Sequence, residues 1–590
     1  MAERLFVLWQ RGWWLLPLLV LGLASRDNLG FELVADARFL IESNADVREP
    51  SGVWSALTED YFHSSAGNRI PYYRPWTRLA WWLEAQVFGV RAPMFHAFQI
   101  AWFGLAVLAL SCLCRLLGAS RIRASLAGTM LALHPAAAEP LCLVMARSDV
   151  MACAAALSML YALEAADRAP ALAGRWRGLA LVALVVALGS KETALLLGPL
   201  WALRAAVAHH GSEIQPVAAA ALARALRVGL QSSAPALVAC ALFVVARRAV
   251  LGESAGVDLD LSPARWLLSL GAYAEAAVPL RLHTGLRNLA PAEAGSLAPW
   301  LRAALALCAI AACARLALQR RQAGALVLLA YGLAALLPVV LARELNVPGA
   351  EERWPLADRW ALPLAAATSG LLVWAPAPEG AAPVGALRAM AGRALIGALL
   401  AWALLAAWVA PEVRAVYRDE IGLLTLEDRG YLATPPALRS AADHCRAADR
   451  AVVRAIAAKD WPAVLAATEG GADCPEPVLR GFNRLSALDA LGQHPHARKV
   501  AEALLATPRA DSRHLPPLHH LHGRALLHTG APALAIEAFA KAEQLGLRSC
   551  RLWLDRAEAL AALDQRPAAE AALMQARRCA GLPAGPPTAD

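Results

Sequence analysis

The chain is predicted to be mainly α: a polytopic helical membrane domain followed by a soluble solenoid of helical repeats. Three observations carry that prediction. Of the 590 residues, 58% are hydrophobic and 17% charged, too apolar for a soluble protein of this length. The apolar excess ends near residue 411, after which charged residues and His become frequent. Residues 517–590 then repeat with a period of 34. Long apolar runs mark spans, a composition shift marks a domain boundary, and a period of this size marks an array of stacked units. The expected organisation is a membrane domain over 1–411, a linker or interfacial segment over 412–445 and a repeat domain over 446–590.

The membrane domain is expected to hold about 11 spans. They fall near 12–25, 94–117, 122–138, 149–165, 178–190, 192–208, 232–250, 297–318, 323–342, 359–376 and 391–411. Arg4 and Arg11 ahead of the apolar run Trp13–Ala24 resemble a signal peptide, but a long polar loop and further spans follow, so the run reads as an uncleaved first span. Arginine groups set the orientation: Arg115, Arg121 and Arg123; Arg168, Arg175 and Arg177; Arg315, Arg320 and Arg321; Arg388 and Arg393. All four fall on the cytoplasmic side if 264–280 is interfacial or re-entrant and does not cross. The large first loop, 26–93, and the repeat domain then share the external side of a cytoplasmic (inner) membrane. In that loop, PYYRPWTRLAWWLE (71–84) sets aromatic residues beside Arg, and Trp81 and Trp82 are expected as interfacial anchors.

In the repeats, Gly523, Leu526, Ala535, Phe539 and Ala542 recur as Ala557, Leu560, Ala569, Leu573 and Ala576. This small/large spacing is that of tetratricopeptide (TPR) repeats, where small residues let two helices cross closely and large ones fill the space between units. Such arrays bind peptides or partner proteins and carry no chemistry. Four of the 11 cysteines, Cys445, Cys474, Cys550 and Cys579, lie in this soluble part, and each successive pair is separated by 29 residues. In a 34-residue hairpin that spacing sets the start of one helix beside the end of the next. Two disulfides are therefore expected, Cys445–Cys474 and Cys550–Cys579, which also suit an oxidising compartment.

The densest polar segment of the apolar part is LHPAAAEPLCLVMARSDVMA (133–152), with His134, Glu139, Arg147 and Asp149 bracketed by Pro135 and Pro140. Each charge at membrane depth costs roughly 2.5–3.5 kcal/mol on insertion scales, so such a cluster is a functional hypothesis. Each residue also has a plainer reading. Asp149 pairs with Arg147 or caps the following span, and His134 bonds backbone at a helix break.

The segment HPAAAEPLCLVMARSDVM resembles, without gaps, the HP-x-H-T-E-A-V-x-x-x-x-G-R-A-D-V-L pattern of the TPR-containing transmembrane O-mannosyltransferase-type proteins. These belong to the GT-C superfamily of polyprenyl-phosphate-sugar-dependent glycosyltransferases. His134, Pro135, Glu139, Arg147, Asp149 and Val150 match; Ala137 stands at the second His and Ala146 at the Gly. LVADARFLI (33–41) resembles the first-loop acidic motif, with Asp36 matching and Ala37 where a second acid is common. YRPWTRLAWWL, SKETALL and LADRWALPL resemble three further blocks in the expected order.

The resemblance implies transfer of a sugar, mannose being one candidate, from a polyprenyl-phosphate donor to a hydroxyl of a protein or glycolipid, with inversion. It implies Asp36 as the base, with Glu139 and Asp149 as supporting acids that orient the acceptor or hold a divalent cation (Mg or Mn). Arg74, Lys191 and Arg359, with Arg147 behind them, are the candidates for the departing phosphate, and His134 for a donor to substrate. The plainer readings are a loop or cap role for Asp36 and an interfacial anchor for Lys191–Glu192. The alternative function is a non-catalytic membrane scaffold that recruits proteins through the repeats, a reading to which Ala37 and Ala137 point. Nucleic-acid binding is not expected: the net charge of +9 comes without a basic run interleaved with aromatics.

Overall fold

The computed structural model describes residues 12–63 apart from 43, 72–210, 219–252, 263–277, 323–341, 361–374 and 458–579 apart from 470–476 and 507–514, with short stretches and single positions between 287 and 456. Helix dominates. A short antiparallel ribbon pairs Arg287–Leu289 with Trp354–Leu356. The chain forms two compact units, Met1–Glu32 with Ala92–Arg418, and Leu33–Arg91 with Asp419–Asp590.

The first unit is built round the helix Arg147–Arg168, which packs against Ala92–Leu116 and Ala173–Ser190. Its run of Ala and Cys from Ala152 to Ala156 is buried on every side, as expected of a helix whose small side chains let neighbours approach closely. Among the described residues four helices are long and apolar enough to cross a membrane: Ala92–Leu116, Val144–Arg168, Pro170–Ser190 and Arg224–Leu251. Val144–Arg168 is the inner one, with 83% of its apolar window buried against 22% for each of the last two. Those outer helices leave Leu179, Val182, Leu242 and Val245 exposed.

The expected spans near 323–342 and 359–376 are seen as the helices Ala323–Leu341 and Leu362–Trp374. Segment 264–280 forms the helix Pro263–Ala277. The expected spans 297–318 and 391–411 lie largely outside the described residues.

Two breaks interrupt the helices. The span expected over 122–138 ends at Leu133, because Pro135 drives the preceding His134 to an extended backbone (φ −61°, ψ 131°). The chain then runs through a 3-10 turn at Pro135–Ala137, a short helix at Ala138–Cys142 and another 3-10 turn at Val144–Ala146 before Arg147–Arg168 begins. The second break follows Ala173–Ser190. The Ser190 hydroxyl donates to the Val186 carbonyl four residues back, a bond that bends helices, and Lys191 is extended (φ −155°, ψ 135°) before the 3-10 turn Glu192–Leu196. Irregular backbone at membrane depth is tolerated where protein surrounds it or where it lines a cavity. The first break is walled in, with His134 and Pro140 both buried.

Arg414 closes this unit. Its guanidinium donates to the carbonyls of Ala24 and Ala132 and to the Ser25 hydroxyl, satisfying backbone acceptors near the ends of Leu15–Ser25 and Arg121–Leu133. Burial lowers its pKa from the usual arginine range.

In the second unit, segment 33–91 folds round Arg78. This buried side chain donates to the Asp46 carboxylate, the Ser55 hydroxyl and the carbonyls of Ser55 and Asp60. The guanidinium thereby ties the helix Pro75–Phe88 to the short helices Ala45–Arg48 and Gly52–Thr58.

Residues 461–579 form successive antiparallel helices: Trp461–Glu469, Pro477–Ala490, His494–Leu505, Leu515–His528, Pro532–Gln544, Cys550–Ala562 and Arg566–Cys579. The 34-residue period has a structural counterpart in the turns. Gly530 and Asp564 occupy equivalent positions and both are left-handed, at φ +82° and +57°. Gly523 and Phe539 form the small/large contact: a methyl at Gly523 would overlap the Phe539 ring. The Cys550–Cys579 disulfide is formed, with Cα atoms 5.2 Å apart. Cys445 and Cys474 lie outside the described residues.

Candidate functional site

The second helix break carries the site. Lys191 and Asp149, 42 residues apart, form an ion pair in which each residue is 8% exposed. The Ser148 hydroxyl donates to the other Asp149 oxygen at 3.3 Å. Asp149 comes from the first turn of Arg147–Arg168, and Lys191 from the extended residue after Ala173–Ser190. A helical Lys191 would be held to the rotation of its helix; at a break its ammonium can reach across.

The pair lies at the edge of a small pocket of about 30 Å3. Thr193, Cys153 and Tyr331 add polar atoms, the last two hydrogen-bonded to each other. The remaining wall is apolar and includes Ala194, Leu196, Leu197, Leu200, Ala335 and Pro363. A cation and a hydroxyl at one part of an otherwise apolar cavity suit an amphiphile with an anionic group. The carboxylate aims the ammonium and offsets its burial, because a lone charge at this depth is far more costly than a paired one.

The other residues of the 133–152 segment do different work. Arg147 is fully buried and donates through Nε to Gln99 and through Nη2 to the Phe95 carbonyl at 2.7 Å, both on Ala92–Leu116. Gln99 in turn donates to the carbonyls of Pro140 and Leu143. Arg147 thus fastens the broken segment to the neighbouring helix. His134 bridges backbone: its Nδ1 accepts from the Ala136 amide, so Nε2 carries the proton and donates to the Ala277 carbonyl at 3.1 Å. Glu139 is 1% exposed in the short helix Ala138–Cys142. Ala137, at the position of the family's second His, is 0% exposed within the main apolar core.

Asp36 and Arg74 belong to the other unit. Asp36 is half-buried and opens a helical turn directly after Ala35, whose φ of +53° is left-handed and rare for a residue with a β-carbon. Strained backbone of this kind clusters at functional sites and costs of order 1–3 kcal/mol. Ala37 is fully buried, so the position of the second acid is closed off by packing. Arg74 precedes Pro75–Phe88, and its guanidinium lies over the rings of Tyr72 and Tyr61, 4.4 and 4.9 Å from their centroids. Arg359 lies outside the described residues.

Asp149 and Lys191 are two sequence-predicted site residues that the structure brings into direct contact. Sequence reasoning did not single out Thr193, although it lies inside the SKETALL block, and it missed Cys153 and Tyr331, which carry no motif and meet through packing. Among the described residues no group of three His, Cys, Asp or Glu side chains is arranged to hold a metal ion. Asp149 is already engaged by an ammonium, so the described residues of this pocket do not fit a divalent cation. Set against known proteins, the chain matches no family model, no curated protein and no solved structure.

Proposed function

We propose that the chain is a membrane glycosyltransferase that transfers a sugar from a polyprenyl-phosphate donor to a hydroxyl of a protein or glycolipid. The observation that carries the reading is the Lys191–Asp149 pair at the edge of an apolar-walled pocket. On this reading the Lys191 ammonium stabilises the phosphate oxygen as the bond from the anomeric carbon to that oxygen breaks, and the apolar wall takes the first part of the lipid. The acceptor oxygen forms the new bond to the anomeric carbon and gives its proton to a base, the role that the motif resemblance implies for Asp36. Asp36 rests on the motif resemblance and is supported by the strained backbone at Ala35. The finer architecture belongs to the same proposal: about 11 spans of GT-C type, a TPR-like solenoid that presents partner or acceptor proteins, and an external location for the repeats. The Cys550–Cys579 disulfide favours that location, since disulfides persist in oxidising compartments.

The test is transfer of radiolabelled sugar from a polyprenyl phosphate in membranes carrying the full chain. Asp36→Asn is expected to abolish transfer at unchanged protein level. A second reading, a non-catalytic scaffold, is favoured by the burial of Ala37 and Ala137 at the two positions where the resembled family carries side chains for chemistry. An unchanged glycan profile in the Asp36→Asn strain would select the scaffold.

A further inference from the structure

The Cys550–Cys579 bridge has surroundings that a purely structural disulfide does not need. Cys550 is the first residue of the helix Cys550–Ala562, whose start is fixed by the Ser549 hydroxyl accepting from the Leu552 amide at 3.1 Å. Arg548 and Arg551, both exposed, flank Cys550, and Arg577 and Arg578 precede Cys579. No Asp or Glu lies within four residues of either cysteine. Further along, Asp555 is shared among Arg551, Arg524 and His520, and Glu543 is held by Arg556 at 2.7 Å. A helix N-terminus together with arginines favours a thiolate over a thiol once the bridge opens.

We infer that Cys550–Cys579 is a site of thiol–disulfide exchange that takes a dithiol, and that its opening releases the helix Arg566–Cys579. The half-buried Cys550 sulfur is the one within reach, since Cys579 is 4% exposed. A thiolate of the dithiol bonds to the Cys550 sulfur as the sulfur–sulfur bond breaks and Cys579 leaves as a thiolate. The second thiolate of the dithiol then closes on its own bound sulfur and expels Cys550, the leaving group that the positive surroundings stabilise. The chain gains two electrons and two protons, and the dithiol ends as a disulfide. Release follows from how the helix is held. On its inner side it buries the small residues Ala569 and Ala572 against Ala557 and Leu560. Its outer side is open, with Leu573 37% and Met574 49% exposed. Phe539, one period before Leu573, is 0% exposed in a cluster with Leu552 and Ala559 of the next helix. Alanines on one face bury little apolar area, so the bridge supplies much of what keeps this helix in place.

The test uses the purified full chain in detergent, treated with dithiothreitol without denaturant. Both cysteines are expected to become open to alkylation while the chain stays folded. Amides of Arg566–Cys579 should then exchange hydrogen about tenfold faster, with those of Leu515–Gln544 unchanged. In Cys579→Ser, alkylation of Cys550 should be half-maximal below about pH 7.5, against about 8.5 for an ordinary cysteine. A bridge that resists dithiothreitol until the chain unfolds would overturn the inference. So would unchanged exchange after reduction, or half-maximal alkylation at about pH 7.5 or above. The reductant arm needs no substitution, so it decides the matter even where the variant fails to fold.

Discussion

Two buried charge systems in this chain look alike by burial and differ in what surrounds them. Lys191 and Asp149 meet beside a pocket, at a helix break. In the repeats, Arg524 bridges Asp489 and Asp555, while His520 and Arg551 also reach Asp555 at 2.8 and 2.9 Å. Asp489 and Asp555 are 6% and 2% exposed, at least as buried as Asp149. Yet the repeat system is periodic: Asp489 to Arg524 and His520 to Asp555 are both 35-residue steps. It joins the successive helices Pro477–Ala490, Leu515–His528 and Cys550–Ala562 like a seam. Burial of a charge therefore does not identify a site. Singularity, a break in regular structure and an adjoining cavity do.

The sharpest way to break this comparison is to neutralise one cation in each system. Lys191→Met, made together with Asp149→Asn so that no lone carboxylate is left buried, is expected to lower sugar transfer at least ~100-fold, the scale of losing one preorganised charge at a transition state, while the amount of folded protein in membranes stays near that of the parent. Arg524→Ala should do the reverse. It leaves two buried carboxylates short of a cation and is expected to destabilise the repeats by about 3 kcal/mol, read as earlier thermal unfolding of the purified chain. Equal activity loss in both variants, with equal unfolding, would erase the distinction between site and seam.

A smaller effect separates the systems by pH. His494, His519 and His522 in the repeats have pKa values lowered from the usual histidine range, chiefly by burial, with His528 also acting on His494. A depressed histidine contributes stability above its unfolded value of about 6.5 that is lost as pH falls through the folded value. The carboxyl of Asp489 is raised by burial, against the pull of Arg524 and His494, and acts with the opposite sign nearer pH 4. Limited proteolysis at pH 7.5 and 5.5 should therefore show the repeats cut faster at the lower pH, and His494→Gln should flatten the difference. The smallest expected effect is at Asp564, held at φ +57° where its repeat counterpart is Gly530. Asp564→Gly should stabilise the last hairpin by about 0.5–1 kcal/mol, seen as a small rise in unfolding temperature.

What the sequence made legible follows from distance along the chain. The Cys550–Cys579 bridge and the Gly523–Phe539 contact lie within single hairpins, whose geometry spacing alone determines. The break at His134 was signalled by Pro135, although the sequence pattern carried the span five residues too far. The partner of Asp149 was not legible. Arg147 is the near candidate in sequence, but residues two apart on a helix do not face each other, and Arg147 turns to Gln99 on another helix. The inward face of Pro75–Phe88, which buries Arg78, Trp81 and Glu84, was hidden for a similar reason. Aromatic content suggested Trp81 as the outward residue, whereas the need to pair Arg78 with Asp46 sets which stripe faces in.

Arg414 has a consequence for how the chain is made. Its guanidinium holds the carbonyl of Ala24, 390 residues earlier. At about 5–20 residues per second, the ribosome delivers that arginine roughly 20–80 s after the helix it completes. Through that interval the Ala24 carbonyl is without this donor. A chain ending before residue 414 is therefore expected to hold its first helix less firmly than the finished protein.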